Sequence, residues 1–282
     1  MVYLTDDNNV LFTKKRLSQL VKHIKSKYNI PKWDITTEPI KEDDIFISKF
    51  GGFPYWSFDM EYPVGENGQP LYLLAQLILG KKEMLQFFIA DGDMYGLNYD
   101  NQTDTTNFRV IYHKYIDHSV TIEDLRKRGI PSSAEAVAKA EAEGSEILLP
   151  MSSKIGKILF SRGSDHLSPT IYKHIDIVKA EIALLFHVKI NELDDNINEV
   201  LWDAFETDGS KFYGLPFFTQ EDPRNDDGNY NGKKYEILLF QVDSMREIDL
   251  MWGDNGICNF FINAEDLANH DFSNVLYNWD CY

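Results

Sequence analysis

The sequence predicts an α+β protein of mainly antiparallel sheet, built as two pseudo-symmetric copies of one unit with peripheral helices, one of them at the N-terminus. Three observations predict it. First, Lys49-Phe50-Gly51-Gly52-Phe53-Pro54-Tyr55-Trp56 returns as Lys211-Phe212-Tyr213-Gly214-Leu215-Pro216-Phe217-Phe218. Second, two more blocks follow it in the same order. Leu73-Leu74-Ala75-Gln76-Leu77 matches Leu238-Leu239-Phe240-Gln241-Val242, and Leu85-Gln86-Phe87-Phe88-Ile89-Ala90 matches Cys258-Asn259-Phe260-Phe261-Ile262-Asn263. The offset grows from 162 at Lys49 to 165 at Gln76 and 173 at Leu85, so extra residues enter between blocks, where loops absorb them. Third, the apolar stretches of each copy follow one another too closely for the crossover helices that parallel strands need.

The elements can be justified in order. Thr13 is a candidate cap, and Leu17, Leu20, Val21, Ile24 and Tyr28 fall at helical spacing, with Pro31 ending the helix. From residue 45 the pattern changes to short β-prone stretches at 45–47, 71–79, 84–90 and 108–115, separated by Gly, Asn and Asp. A connector follows, in which Ser132 and Glu135 stand at capping-box spacing ahead of an alanine-rich helix over 134–143. That helix offers little large apolar surface and is expected at the periphery. Residues 147–150 and 157–160 are expected as further strands, and Ile197, Val200, Leu201, Ala204 and Phe205 mark a helix. The second copy then supplies strands at 235–242 and 256–262, and a closing segment over 272–279. The chain divides into a helical segment 1–45, a first repeat 46–117, a connector 118–210 and a second repeat 211–282, together one compact unit.

Composition narrows the function classes. With 43% hydrophobic residues over 282 positions, a large core is available and disorder is not expected. No run approaches the roughly 18 consecutive apolar residues of a spanning helix, and the N-terminus lacks the basic start and apolar stretch of a signal peptide. A cytoplasmic location and no membrane partner are expected. Cys258 and Cys281 are the two cysteines, too few for a disulfide framework in so long a chain. A net charge of −17 repels a phosphate backbone, which argues against nucleic acid and is compatible with a basic protein partner.

Glycine and proline in Phe-x-Gly-x-Pro-aromatic set a backbone shape: Gly52 and Gly214 can take positive φ, while Pro54 and Pro216 hold Phe53 and Leu215 extended. The aromatic pairs after them are expected to pack on their own sheet, the alternative being an exposed ligand platform. Gln76 and Gln241 interrupt apolar strands at matching positions, and a buried amide left unpaired costs about 1–3 kcal/mol. Each is expected to clamp a neighbouring turn; facing one another across a cleft between the copies is the alternative. Two segments, 220–224 and 252–256, have no counterpart in the first copy. There Arg224 can grip a carboxylate from Asp222 or Asp254, either as a loop staple or, with Trp252, as a ligand site.

Asp91, Asp93 and Gly96 occupy positions 1, 3 and 6 of a calcium-loop pattern, but Tyr95 and Gln102 stand where ligands 5 and 12 belong. His113, His118, His166 and His174 lack zinc spacing, and His187 reads as a strand or core residue. No nucleophile elbow, phosphate loop, zinc-protease motif or dinucleotide fingerprint occurs. No catalytic residue, cofactor or metal is therefore assigned.

Seven ordered blocks carry a resemblance: Ser48 through Trp56, Asn67-Gly68-Gln69-Pro70-Leu71, Leu74-Ala75-Gln76-Leu77, Leu85-Gln86-Phe87-Phe88-Ile89, Gln220-Glu221-Asp222-Pro223-Arg224, Met251 through Gly256, and Tyr277-Asn278-Trp279-Asp280. Together they resemble the YwqG-like family, a bacterial domain family of unknown function, over about 46–282. The resemblance implies a bacterial cytoplasmic protein of duplicated α+β architecture and carries over no catalytic residue. Some members' setting near polymorphic toxins implies an immunity or accessory role. The sequence reading is thus a non-catalytic binding module, with a small-molecule binder or enzyme using a cleft between the copies as the alternative.

Overall fold

The computed structural model describes residues 5–6, 9–10, 14–187, 189, 202, 204–225 and 227–282. Ten antiparallel strands form one continuous sheet: β1 (Ile30–Ile40), β2 (Lys49–Phe50), β3 (Tyr72–Leu79), β4 (Glu83–Ile89), β5 (Phe108–His113), β6 (Ile155–Asp165), β7 (Lys211–Tyr213), β8 (Ile237–Asp243), β9 (Ile257–Ile262) and β10 (Leu276–Asp280). Their order in space is β10-β9-β8-β7-β1-β6-β2-β3-β4-β5. A central ribbon of β1 and β6, paired from Ile30↔Asp165 to Ile40↔Ile155, therefore separates β2–β5 from β7–β10. The short strands β2 and β7 dock each side onto it: Lys49 and Phe50 pair with Lys157 and Gly156, and Lys211 and Phe212 with Asp34 and Trp33.

Strands β3, β4, β8 and β9 read as nearly unbroken apolar runs because both of their faces are buried. On the inner face the two sides meet in one aromatic core. The Phe87 ring lies 4.6 Å from Phe240 and 4.8 Å from Phe260, and Phe108 lies 5.0 Å from Tyr277. The last pair joins the edge strands β5 and β10, so the sheet curls into a nearly closed barrel. Each such ring contributes about 1.5–3 kcal/mol by leaving water. The space between the two sides, where the alternative reading put a cleft, is core.

Five helices are present among the described residues. Helices α1 (Lys14–Lys27) and α4 (Lys173–Phe186) enclose a second, smaller core of Leu20, Ile24, Leu167, Val178, Ile182 and Phe205. Buried Glu181 ties them together, accepting from Lys27 Nζ (2.5 Å) and the Tyr28 hydroxyl (2.7 Å) and meeting His23 Nε2 (2.7 Å). Burial pushes its carboxyl up, but those hydrogen bonds outweigh it and hold it at about 2. Helix α2 (Ile122–Lys127) opens with a complete capping box from Thr121 and Asp124. Helix α3 (Ser133–Glu143) has only half of the expected one: Ser132 Oγ accepts from the Glu135 amide, while the Glu135 carboxylate turns to Arg126 (2.5 Å). The last, α5 (Ala264–Ala268), is capped by Asn263.

Several expectations are corrected. The eleven-residue strand β1 is not anticipated by the sequence pattern because its charged residues and two prolines hide it; both prolines sit next to strand ends, where a missing amide is tolerated. Residues 45–47 form a turn rather than a strand, since the Ile45 and Ile47 carbonyls are taken by the Gln76 side chain. Residues 147–150 are irregular. His187 is exposed and caps α4 in the left-handed region instead of lying in a core. Thr13 and most of the helix expected around 197–205 lie outside the described residues. No described helix is long and apolar enough to cross a membrane.

Candidate functional site

The two Lys-Phe turns are the most elaborated polar features of the fold. In the first, Gly51 and Gly52 have φ of 68° and 77°; in the second, Tyr213 and Gly214 have φ of 64° and 86°. This left-handed pair reverses the chain after β2 and β7, and it suits glycine because Cβ is disfavoured there. Under each turn lies a carboxylate. Asp43 accepts from the Phe53 amide (2.6 Å) and from Lys49 Nζ, while Asp165 accepts from the Leu215 amide (2.8 Å) and from Lys211 Nζ (3.0 Å). A Cβ on Gly52 or Gly214 would clash with Asp43 or Asp165 respectively, so glycine is also required by close approach.

Lys49 and Lys211 are fully buried. Burial lowers both amines, Lys211 to about 8 against the opposing pull of Asp165. Lys211 also donates to the Thr207 carbonyl (2.5 Å), and Lys32 adds a second cation to Asp165 at 2.8 Å. A lowered amine can serve as a nucleophile, but these two have no accessible surface and brace the turns.

Gln76 and Gln241 complete the braces. Gln76 Oε1 accepts from the Tyr55 amide (3.1 Å), and its Nε2 donates to the Ile45 and Ile47 carbonyls (3.0 and 2.8 Å). Gln241 Oε1 accepts from the Phe217 amide (2.8 Å), and its Nε2 donates to the Thr207 and Gly209 carbonyls (2.9 and 2.8 Å). Each amide is thus turned to its own turn and they do not face one another. On the first side the network runs on through Gln86 to His113, whose Nε2 lies 2.7 Å from Gln86 Oε1. Burial lowers that imidazole to about 4, so it is neutral and Nε2–H donates. The aromatic pairs Tyr55-Trp56 and Phe217-Phe218 are buried and offer no platform.

Asp222 and Arg224 do pair, Nε and Nη2 donating to the two carboxylate oxygens at 2.9 and 2.8 Å. Nη1 holds the Tyr235 carbonyl (2.7 Å), and the guanidinium stacks 3.6 Å above Phe261. They line a cleft of mixed polar and apolar character, about 450 Å³, with Lys173, His174, Leu215 and Glu236. Trp252 and Asp254 are not brought to it. Trp252 is fully buried in the main core beside Tyr95 and Trp279, and Asp254 is an exposed turn residue whose carbonyl accepts from the Tyr282 amide. The segment 252–256 had looked functional because it lacked a counterpart, whereas its tryptophan is there to fill the core.

Asp43, Asp165 and the two lysines were missed as a group. One signal was available: a lysine opens the repeated block both times, an unusual choice next to apolar strand residues. The two aspartates precede those lysines by different distances, 6 residues for Asp43 and 46 for Asp165, so no spacing could reveal them.

No curated protein matches this chain in sequence. The span that carries both turns, both glutamines and the Asp222–Arg224 pair coincides with one family model, which covers residues 48–281. The chain belongs to the family described as Domain of unknown function (DUF1963).

Proposed function

We propose that this protein is a non-catalytic binding module for a basic protein partner, acting in the bacterial cytoplasm as an immunity or accessory protein for a cationic toxin domain. The observation that carries the reading is the net charge of −17, on a chain whose buried Lys49, Lys211, Gln76 and Gln241 are engaged in bracing the fold. An excess of surface carboxylate attracts a cationic partner over distances near the Debye length and speeds its encounter. We also infer that residues 46–117 and 211–282 are copies of one unit. Supporting this, Gln76 and Gln241 make the same three kinds of bond, and β2 and β7 dock on the central ribbon alike.

Titration against cationic toxin domains, with a neutral domain as control, tests the function. A complex at micromolar concentration in low salt, weakening as salt rises, is expected. Absence of any complex with the cationic domains would overturn the reading. A small-molecule role has one observation in its favour, the cleft beside Arg224. Arg224→Met abolishing a metabolite-induced thermal shift without unfolding the protein would support that second reading.

A further inference from the structure

The two sides of the barrel are finished differently. Between β8 and β9 the chain makes a connection of thirteen residues, 244–256, whereas β3 and β4 are joined by only three, 80–82. The long connection folds back through a 3-10 turn (Arg246–Ile248) that packs on both strands of the central ribbon. Ile248 lies over Gly156, leaving no room for a side chain there, and its carbonyl accepts from Ser152 Oγ (2.7 Å). Register fixes the equivalent place on the other side: Gly156 is paired with Phe50 as Trp33 is paired with Phe212. Where Ile248 closes the first position, the second has no such turn among the described residues, because the three-residue connection is too short to supply one. Trp33 is 37% and Phe160 39% exposed, and with Leu77, Leu79, Glu83 and Phe212 they line an open apolar mouth of about 530 Å³.

We infer that this mouth is the docking site for a loop of the basic partner, which inserts a branched aliphatic side chain as Ile248 does on the opposite side. The inference rests on the binding-module reading above. Shape comes from the internal precedent: a single turn of polypeptide, tipped by isoleucine, fills the equivalent place. Charge supplies the rest. Glu83 is the charged residue among those lining the mouth; its carboxylate accepts from the Tyr112 hydroxyl and keeps further acceptor capacity, so a lysine or arginine next to the aliphatic tip would meet it. The chain's net negative charge favours the same cationic loop. Apolar anchors seated in pockets with a charged rim are where binding energy concentrates in interfaces.

The test uses a disulfide-cyclised peptide carrying Met-Arg-Lys-Ile-Lys-Leu, the sequence of residues 245–250 with lysine in place of Glu247 and Asp249. The Trp33 indole N–H is followed by NMR as the peptide is added to the full chain. Saturable binding with a Kd of about 1 mM or tighter is expected. It should weaken by about fivefold or more on replacing the peptide isoleucine with alanine, and similarly in the Phe160→Asp protein. Glu83→Gln, which keeps the shape and a hydrogen-bonding partner for Tyr112, should weaken it and remove most of its salt dependence. No saturable shift, or binding indifferent to both protein substitutions, would overturn the site. So would binding of free indole or decylammonium without binding of the peptide, since the occupant would then be a small molecule. A cationic domain that binds wild type and Phe160→Asp equally would overturn this site and leave the binding-module reading standing.

Discussion

Replacing each buried glutamine by leucine separates a structural clamp from a binding residue, and the hydrogen bonds predict which replacement is worse. Gln241→Leu strips the acceptor from the buried Phe217 amide and the donor from the Gly209 carbonyl. The Thr207 carbonyl loses less, because Lys211 Nζ still donates to it at 2.5 Å. At about 1–3 kcal/mol for the orphaned amide and about 1 kcal/mol for the carbonyl, the loss is roughly 2–4 kcal/mol. Gln76→Leu orphans the Tyr55 amide and both the Ile45 and Ile47 carbonyls, and it removes one of the two acceptors of Gln86 Nε2. That comes to roughly 3–5 kcal/mol. In a chain of this size 1 kcal/mol moves Tm by about 2–4 °C, so shifts of roughly 5–15 °C are expected, larger for Gln76. Urea unfolding followed by tryptophan fluorescence measures the loss, and hydrogen exchange at the Tyr55 and Phe217 amides locates it. A loss below about 1 kcal/mol in either variant, or a larger loss at Gln241 than at Gln76, would refute the clamp argument.

Three other outcomes follow from the same geometry. Asp165→Asn leaves Lys211 and Lys32 without their shared carboxylate and should cost about 3–5 kcal/mol, more than Lys211→Met, which leaves Asp165 still paired with Lys32; equal urea midpoints would contradict this. Gly52→Ala and Gly214→Ala each place a methyl group against a carboxylate at positive φ, and each should lower stability by roughly 1–3 kcal/mol in the same assay, with a neutral result counting against the close approach. Burial holds His113 and His174 at about 4, so each is neutral in the folded protein while the unfolded chain takes a proton near 6.5. Because the unfolded state binds more protons in that window, stability should fall as pH drops from 6.5 to 4, by on the order of 3 kcal/mol per histidine. A further loss should follow from 4.5 toward 2 as Glu181 is protonated. Urea midpoints at several pH values check the slope, which should flatten in His113→Gln; an unchanged slope would assign the loss elsewhere.

The strands β3, β4, β8 and β9 and the left-handed turns were legible in the sequence for local reasons. Apolar runs bounded by glycine and proline report strands whose two faces are both covered, and Gly-x-Pro reports a backbone shape whatever surrounds it. The glutamine clamps were legible as well, since an amide within an apolar strand demands partners. Local pattern failed at β1, whose alternation is broken by charged residues and proline and whose strand state comes from eleven residues of pairing with β6. It failed again at Trp252 and Asp254, which sit two positions apart in a segment without a counterpart. Only the fold sends one into the aromatic core and the other into solvent.

What the sequence determined by itself is the Gly-x-Pro turns, the apolar strands and the clamping amides, because each depends on residues close together in the chain. The tertiary structure alone decided three things: that both sides join one sheet through the β1–β6 ribbon, that Asp43 and Asp165 sit under the turns, and that the mouth at Trp33 is open while the place over Gly156 is closed by Ile248. Those are meetings between segments as far apart as Phe212 and Trp33. Composition and spacing do not encode such pairings, which follow from which ladder forms beside which and how far each connection can reach.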